Sequence, residues 1–115
     1  MTYLWLSAAL MVATASTHSA LGEKRLIGPL LARDIDLLSG YRANLVRFAW
    51  HFTTLLMIVT ACVVAWPKTP VPVVTLTGAV WLVAGLMDAV LTRGKHVGWP
   101  PLSAAGILAL LGAWS

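Results

Sequence analysis

The sequence predicts an all-α integral membrane protein: a bundle of four transmembrane helices with a short interfacial helix between the first and second spans. Hydrophobic residues make up 59% of the 115 residues and charged residues only 10%, and the mean hydropathy is +0.84. Soluble proteins carry about 25% charged residues, and a domain this small leaves much of its surface exposed. The composition therefore excludes a free cytosolic enzyme or a nucleic-acid-binding protein.

Four continuous apolar runs follow one another along the chain, at residues 3–20, 44–66, 73–92 and 100–115. As helices with a rise of about 1.5 Å per residue, they are about 27, 34, 30 and 24 Å long, and the hydrocarbon core of a bilayer is about 30 Å thick. The runs lack the alternation of barrel strands, and a helix satisfies its own backbone hydrogen bonds in lipid. We expect four spans in one domain, the fourth of marginal length. No basic residue precedes the first run, which we interpret as a span and not as a cleavable signal peptide.

The connection at residues 21–43 is the only long one, and its second half is predicted to form the interfacial helix. Apolar residues recur there at helical spacing, at Leu30, Leu31, Ile35 and Leu38. Gly28 and Pro29 are predicted to begin this helix, and Ser39 and Gly40 to end it. All six prolines of the chain are predicted to lie outside helix interiors, because proline lacks the amide donor that a helix interior uses.

Basic residues are concentrated in the first and third connections. Those in or beside these two connections are Lys24, Arg25, Arg33, Arg42, Arg47, Arg93 and Lys95, and Lys68 alone lies in the second. The positive-inside rule then places the first and third connections in the cytoplasm. We expect a protein of the bacterial inner membrane with both termini on the periplasmic side, where Trp5, Trp66 and Trp114 line the outer interface.

Ionisable side chains are rare in the predicted spans and lie near the inner helix ends. They are His18, Arg47, His51 and Asp88. Arg47, His51 and Thr54 follow i, i+4, i+7 spacing and share one stripe of the second helix. Asp88 on the third helix has nearly the depth of Arg47, and a desolvated carboxylate beside a guanidinium costs less than either group alone. We therefore predict a structural ion pair between Arg47 and Asp88.

Glu23 lies in the segment Leu21-Gly22-Glu23-Lys24-Arg25, beside the inner end of the first span. A solvated position is one interpretation of this carboxylate. An ion pair is the other, and Arg25, Arg42 and Arg47 are its candidate partners. Cys62 is the only cysteine, which excludes internal disulfides and CxxC redox chemistry.

His18 and His51 support a sharper hypothesis, because imidazoles on neighbouring helices can hold a haem iron or a transition metal. Glu23, Asp88 and His96 are the candidate supporting ligands. The alternatives are histidines that make structural hydrogen bonds, or a role in proton transfer or polar ligand binding. Our primary expectation is hydrogen-bonded histidines without a cofactor.

The stretch from His18 to Glu23, followed by Leu26-Ile27-Gly28-Pro29-Leu30 and later by Arg47-Phe48-Ala49-Trp50-His51, resembles a group of small bacterial four-helix inner-membrane proteins. The resemblance covers roughly the first half of the chain. No reaction is assigned to that group, so the resemblance implies a fold and a location but no site residue.

For function, the sequence favours a noncatalytic membrane protein that serves as an accessory or structural subunit of a larger assembly or forms a homo-oligomer. The short connections leave almost no mass outside the membrane with which to recognise a soluble substrate. The expected partners are the lipid bilayer and other membrane subunits or further copies of the chain, and not nucleic acid. The alternatives are a haem- or metal-binding redox protein that uses His18 and His51, and a small transporter or proton-linked channel.

Overall fold

The computed structural model describes residues 1–115 and is all-helical, with 82% helix and no strands. The elements are α1 (Thr2–Gly22), a π-helical turn (Glu23–Ile27), α2 (Gly28–Leu31), a 3₁₀ turn (Asp36–Leu38), α3 (Tyr41–Ala65), α4 (Val71–Leu91) and α5 (Trp99–Ala113). Three helical segments are long and apolar enough to cross a membrane, Thr2–Leu31, Tyr41–Ala65 and Val71–Leu91, and α5 is a shorter apolar helix. The prediction of an all-α chain with helices long and apolar enough to span a membrane is confirmed.

The first helix does not end where the sequence predicts, and the separate interfacial helix is absent. α1 continues through the π turn into α2, so that Thr2–Leu31 forms one helical segment of 30 residues. Within it, the N–H of Gly28 donates to the carbonyl of Glu23, five residues earlier. A π turn of this kind widens the helix and lets the chain pass Pro29, which has no amide donor. The expectation that every proline avoids a helix interior is therefore wrong at Pro29.

The helices contact one another in the spatial order α3, α1, α5, α4. α1 packs along α3 on one side and along α5 on the other, α5 packs along α4, and α3 and α4 touch only slightly. The indole Nε1 of Trp81 on α4 donates to the hydroxyl of Thr60 on α3 at 3.0 Å, and the Trp81 side chain is buried. The central core consists of Ala8, Met11, Ala61, Val64, Trp81, Ala105 and Ala109. The first helix therefore lies between helices that follow it in the chain.

Small residues bring α4 and α5 into backbone contact. A Cβ atom on Gly106 would lie 2.5 Å from the backbone nitrogen of Leu82 and 2.6 Å from the carbonyl oxygen of Gly78. Close approach of this kind is how helices associate in lipid, where apolar burial supplies no driving force. Of the small residues that recur every fourth position, Gly85, Ala105 and Ala109 are buried, whereas Ala9 and Ala13 on α1 are exposed.

The connection between α4 and α5 is a tight turn that fixes residues 92–98 against the end of the bundle. Arg93 and Gly94 both have positive φ, of 53° and 74°, and the N–H of Gly94 donates to the carbonyl of Ala89 at 2.7 Å. This is the Schellman ending of a helix. It turns the chain back at once, so that Lys95 and His96 stay beside the C-terminal end of α1. We call this end of the molecule, formed by residues 17–31, 41–54, 88–98 and the start of α5, the polar end.

Candidate functional site

Glu23 and Arg47 form an ion pair that joins the π turn to α3. Nε of Arg47 donates to Oε1 of Glu23 at 2.6 Å, and a second guanidinium nitrogen lies 3.5 Å from Oε2. The π turn directs the carboxylate toward α3, and Arg47 lies in the second turn of that helix. Of the three arginines proposed from the sequence as partners of Glu23, Arg47 is the one that binds it. The pair is partly exposed, with side-chain exposures of 44% for Arg47 and 36% for Glu23, so we interpret it as a constraint on helix position more than as a large source of stability.

His51 is hydrogen-bonded through both ring nitrogens. Nε2 lies 3.4 Å from Oε1 of Glu23, and Nδ1 lies 2.8 Å from the hydroxyl of Ser19 on α1. The Ser19 hydroxyl also lies 2.7 Å from the hydroxyl of Thr54. Because a carboxylate only accepts, a neutral His51 donates from Nε2 to Glu23, accepts from Ser19 at Nδ1, and leaves Ser19 to accept from Thr54. The donors therefore run from Thr54 through Ser19 and His51 to Glu23, which also accepts from Arg47.

His18 belongs to a second set of contacts on the other side of the same helix interface. Its ring stacks on the indole of Trp50, with centroids 4.3 Å apart and planes inclined by 10°. Nε1 of Trp50 donates to the carbonyl of His18 at 3.0 Å, and Nε2 of His18 lies 2.9 Å from the hydroxyl of Thr53. The Thr53 hydroxyl donates its proton to the carbonyl of Trp50 at 2.6 Å, so Nε2 of His18 is the donor to Thr53. Trp50 thus both stacks on the α1 histidine and binds its backbone.

Asp88 and His96 pair with each other. Nδ1 of His96 lies 2.6 Å from Oδ2 of Asp88, and the Thr92 hydroxyl accepts the backbone N–H of His96 at 3.3 Å. The Asp88 side chain is the less exposed of the two, at 21% against 54% for His96. This contact therefore fastens the α4–α5 turn to the last turns of α4.

The predicted ion pair between Arg47 and Asp88 is wrong. Arg47 bonds to Glu23, and Asp88 bonds to His96. The physical reason is the order of the helices: α3 and α4 are consecutive in the chain, but α1 and α5 lie between them for most of their length. Each charged group therefore takes a partner from an element that packs directly against its own helix or follows it in the chain.

The arrangement of His18 and His51 fits hydrogen bonding between helices better than it fits metal coordination. The two rings belong to separate hydrogen-bonded sets, and His51 would have to give up its bond to Ser19 or to Glu23 before a metal or haem iron could take a nitrogen lone pair. No group of three or more His, Cys, Asp or Glu side chains is arranged to hold a metal ion. Glu23 is bonded to Arg47, and Asp88 and His96 to each other, so the supporting ligands proposed from the sequence have other partners.

A cavity of about 670 Å³ opens beside the polar end. Its walls are one face of the first helical segment from Leu10 to Leu26, Trp50 and Met57 of α3, and residues 95–98 and 101–102. His18 and His96 share no hydrogen bond, but both side chains line this cavity. The cavity gives a molecule other than the protein room to bind at the polar end.

Sequence reasoning missed three participants in these contacts. Ser19 holds His51 and Thr54, Thr53 holds His18, and Trp50 stacks on His18. Thr53 and Thr54 each follow an aromatic or imidazole side chain of α3 by three residues, which places them on the same faces as Trp50 and His51. That spacing was the available signal, and only Thr54 was identified from it.

Comparisons with known proteins assign no family: no family model, no curated protein and no solved structure matches the chain.

Proposed function

We propose that the chain is a noncatalytic integral protein of the bacterial inner membrane and serves as an accessory or structural subunit of a larger membrane assembly or of a homo-oligomer. In this proposal it crosses the bilayer four times as a helical bundle with both termini on the periplasmic side. One observation carries the noncatalytic part. The ionisable side chains of the spans are bonded to protein groups, in the chain that joins Arg47, Glu23, His51 and Ser19 and in the pair of Asp88 with His96.

Short connections support the same proposal. Helices α3 and α4 are separated by residues 66–70, and α4 and α5 by residues 92–98. The connection after α2 is residues 32–40 and includes only one 3₁₀ turn. Loops of this length give little surface outside a membrane, so the surface available for specific contacts is the surface of the helices themselves.

Of the three long helices, α3 is the least buried. Only Thr54, Ala61 and Val64 of its 25 residues are buried. The exposed side includes stacked aromatic rings, Phe48 and Phe52, with centroids 5.6 Å apart. An apolar helix face of this extent contacts lipid or another membrane helix.

The orientation is tested by labelling single cysteines with a membrane-impermeant maleimide in intact cells, in a Cys62→Ser background. Ser115→Cys, beside α5, should react in intact cells after the outer membrane is permeabilised. Ser39→Cys, in the connection before α3, should react only after lysis. Both residues are exposed, so reactivity reports the side of the membrane. Labelling of Ser39→Cys in intact cells would overturn the proposed orientation.

The subunit role is tested by native mass spectrometry of the protein extracted from its own membrane in mild detergent, together with chemical cross-linking in whole cells. We expect either a homo-oligomer or a fixed stoichiometry with other membrane subunits. A monomer in both experiments would contradict the proposal. A Soret band, or stoichiometric iron, copper, zinc or manganese that His18→Ala and His51→Ala both remove, would favour the redox alternative.

A further inference from the structure

We propose that the cavity between α1, α3 and the start of α5 binds one anionic phospholipid, with an acyl chain along its apolar wall and the phosphate at Arg25 and Lys95. The inference relies on the membrane location in the proposed function, but it is independent of the subunit role. It rests on the shape of the cavity, on the change in its lining along α1, and on the charge at its mouth.

The cavity has the length of one bilayer leaflet. Its lining runs along α1 and the π turn from Leu10 to Leu26, which is about 24 Å at about 1.5 Å per residue. Half of the hydrocarbon core is about 15 Å thick, and the headgroup region of one leaflet adds about 5–8 Å. The volume of about 670 Å³ lies within the range of about 300–1,000 Å³ that is typical of small-molecule sites. The space therefore matches an elongated amphiphile that enters from one leaflet.

The lining changes from apolar to cationic along that length. Leu10, Ala13 and Met57 line the deep part, and Arg25 and Lys95 line the part at the polar end. The polar side chains of Thr14, Thr17 and His18 line the stretch between them. This is the order of groups that a phospholipid presents from its acyl chain to its phosphate. A soluble anion would match only the charged part of the lining.

The two cations at the mouth have no acidic partner. Arg25 and Lys95 make no salt bridge or side-chain hydrogen bond, whereas Glu23 binds Arg47, and Asp88 binds His96. The chain has four acidic residues, and none of them lines the cavity. Arg25 follows Glu23 by two residues, and this spacing turns the two side chains to roughly opposite sides of the helix. Glu23 can therefore bind Arg47 of α3 while the Arg25 side chain lines the cavity.

Charge complementarity selects the lipid. Basic pockets between membrane helices bind the phosphate of anionic lipids, and an Arg guanidinium matches phosphate geometry with two parallel donors. A zwitterionic lipid carries a cationic group that gains nothing from Arg25 and Lys95. We therefore expect the site to favour phosphatidylglycerol over phosphatidylcholine.

The test measures lipid retention on the full chain by native mass spectrometry after exchange into mild detergent with phosphatidylglycerol or phosphatidylcholine. We expect one phosphatidylglycerol per chain and a preference of about tenfold over phosphatidylcholine. Replacing the mouth charges together, Arg25→Gln with Lys95→Gln, should abolish that preference. The matched control, Arg33→Gln with Arg42→Gln, removes the same charge from exposed residues outside the cavity and should retain it. Equal retention of the two lipids by the unmodified chain, or an unchanged preference in the Arg25 and Lys95 variant, would overturn the proposal.

A second variant tests the apolar wall. Ala13→Trp fills the deep part of the cavity from an exposed position on α1, and Ala9→Trp places the same bulk one turn earlier, at an exposed residue outside the cavity. We expect Ala13→Trp to lower phosphatidylglycerol retention and Ala9→Trp to leave it unchanged. Inorganic phosphate at millimolar concentration should not displace the lipid, and displacement would indicate a site for a soluble anion and overturn the proposal. Because lipid is counted per chain, a protein that proves monomeric would refute the subunit role without affecting this result.

Discussion

Nε of Arg47 lies 2.6 Å from Oε1 of Glu23, and this contact joins the π turn of the first helix to the second turn of α3. It is the charged end of a chain of hydrogen bonds that continues through His51 to Ser19 and Thr54. Every member of the chain belongs to the α1–α3 interface. The ionisable groups therefore specify how two helices meet, and each of the following predictions tests one interhelical contact.

Reversing one charge of the Glu23–Arg47 pair should break the ion pair, and reversing both charges should restore it. Glu23→Arg and Arg47→Glu each place like charges together, so each single variant should lower the thermal midpoint in a fixed detergent. The double variant restores an ion pair in the opposite direction and should recover a clear part of that loss. Arg42→Glu is the control for changing a cationic residue near the start of α3, because Arg42 makes no ion pair. Additive losses in the double variant would show that the two side chains do not interact.

Ser19→Ala should destabilise the protein by about 1 kcal/mol, because it removes the hydroxyl that bonds both His51 and Thr54. Interhelical hydrogen bonds in membrane proteins average about 0.6 kcal/mol with a maximum near 1.7. Ser16→Ala is the matched control, since the Ser16 hydroxyl bonds only the carbonyl of Val12 in its own helix. Unfolding in a detergent titration measures the difference. Equal effects of the two substitutions would contradict the assigned chain of hydrogen bonds.

Replacing the two buried serines of the first and last helices with alanine should change the stability differently. Ser7 donates to the carbonyl of Ala105 on α5 at 2.7 Å, whereas the hydroxyl of Ser103 is buried without a partner. Ser7→Ala should cost about 1 kcal/mol, and Ser103→Ala should be neutral or stabilising, because an unpaired buried hydroxyl carries only its desolvation penalty. The comparison uses the same residue change at two positions buried against neighbouring helices. A larger loss for Ser103→Ala than for Ser7→Ala would refute it.

Gly106→Ala should separate α4 from α5 and destabilise the protein by about 2 kcal/mol, which is typical of overpacking. The added methyl group would meet backbone atoms of Leu82 and Gly78, and backbone cannot move aside cheaply. Gly112→Ala is the control on the same helix, because the two nearest atoms to its added methyl group belong to the Leu4 side chain, and the nearest backbone atom, the nitrogen of Leu4, lies farther away at 3.0 Å. The thermal midpoint should fall more for Gly106→Ala. Equal decreases in the thermal midpoint would contradict the interpretation that backbone contact between α4 and α5 makes Gly106 intolerant of a side chain.

Hydropathy and composition predict the helical class and the approximate helix positions, because transfer of apolar side chains into lipid is a property of each segment alone. Hydropathy and composition do not predict which helices are neighbours. Arg47 and Asp88 share a depth, but depth says nothing about which helices touch, and here α1 and α5 separate α3 from α4. The extension of the first helix past Pro29 was also missed, since a π turn leaves no mark in an apolar periodicity.

The candidate site shows the same division. The sequence identifies His18, Glu23, Arg47, His51, Asp88 and His96 as the costly polar residues, and the structure gives each of them a hydrogen-bonding partner. Four of these residues pair with one another, Glu23 with Arg47 and Asp88 with His96. The remaining contacts of His18 and His51 are made by hydroxyl groups and an indole, such as Ser19 and Trp50. Such side chains are common in membrane helices, so their types alone do not single them out, and only the helix packing reveals their role.

The position of the first helix between α3 and α5 has a consequence for biogenesis. Ribosomes synthesise the N-terminal segment first, at about 5–20 residues per second, so roughly 4–15 s pass between completion of α1 and the emergence of α5. During that interval Ser7 faces lipid or the translocon instead of the Ala105 carbonyl. The earliest helix to be synthesised is therefore among the last to acquire its full set of neighbours, because α3 can pack against it well before α5 exists.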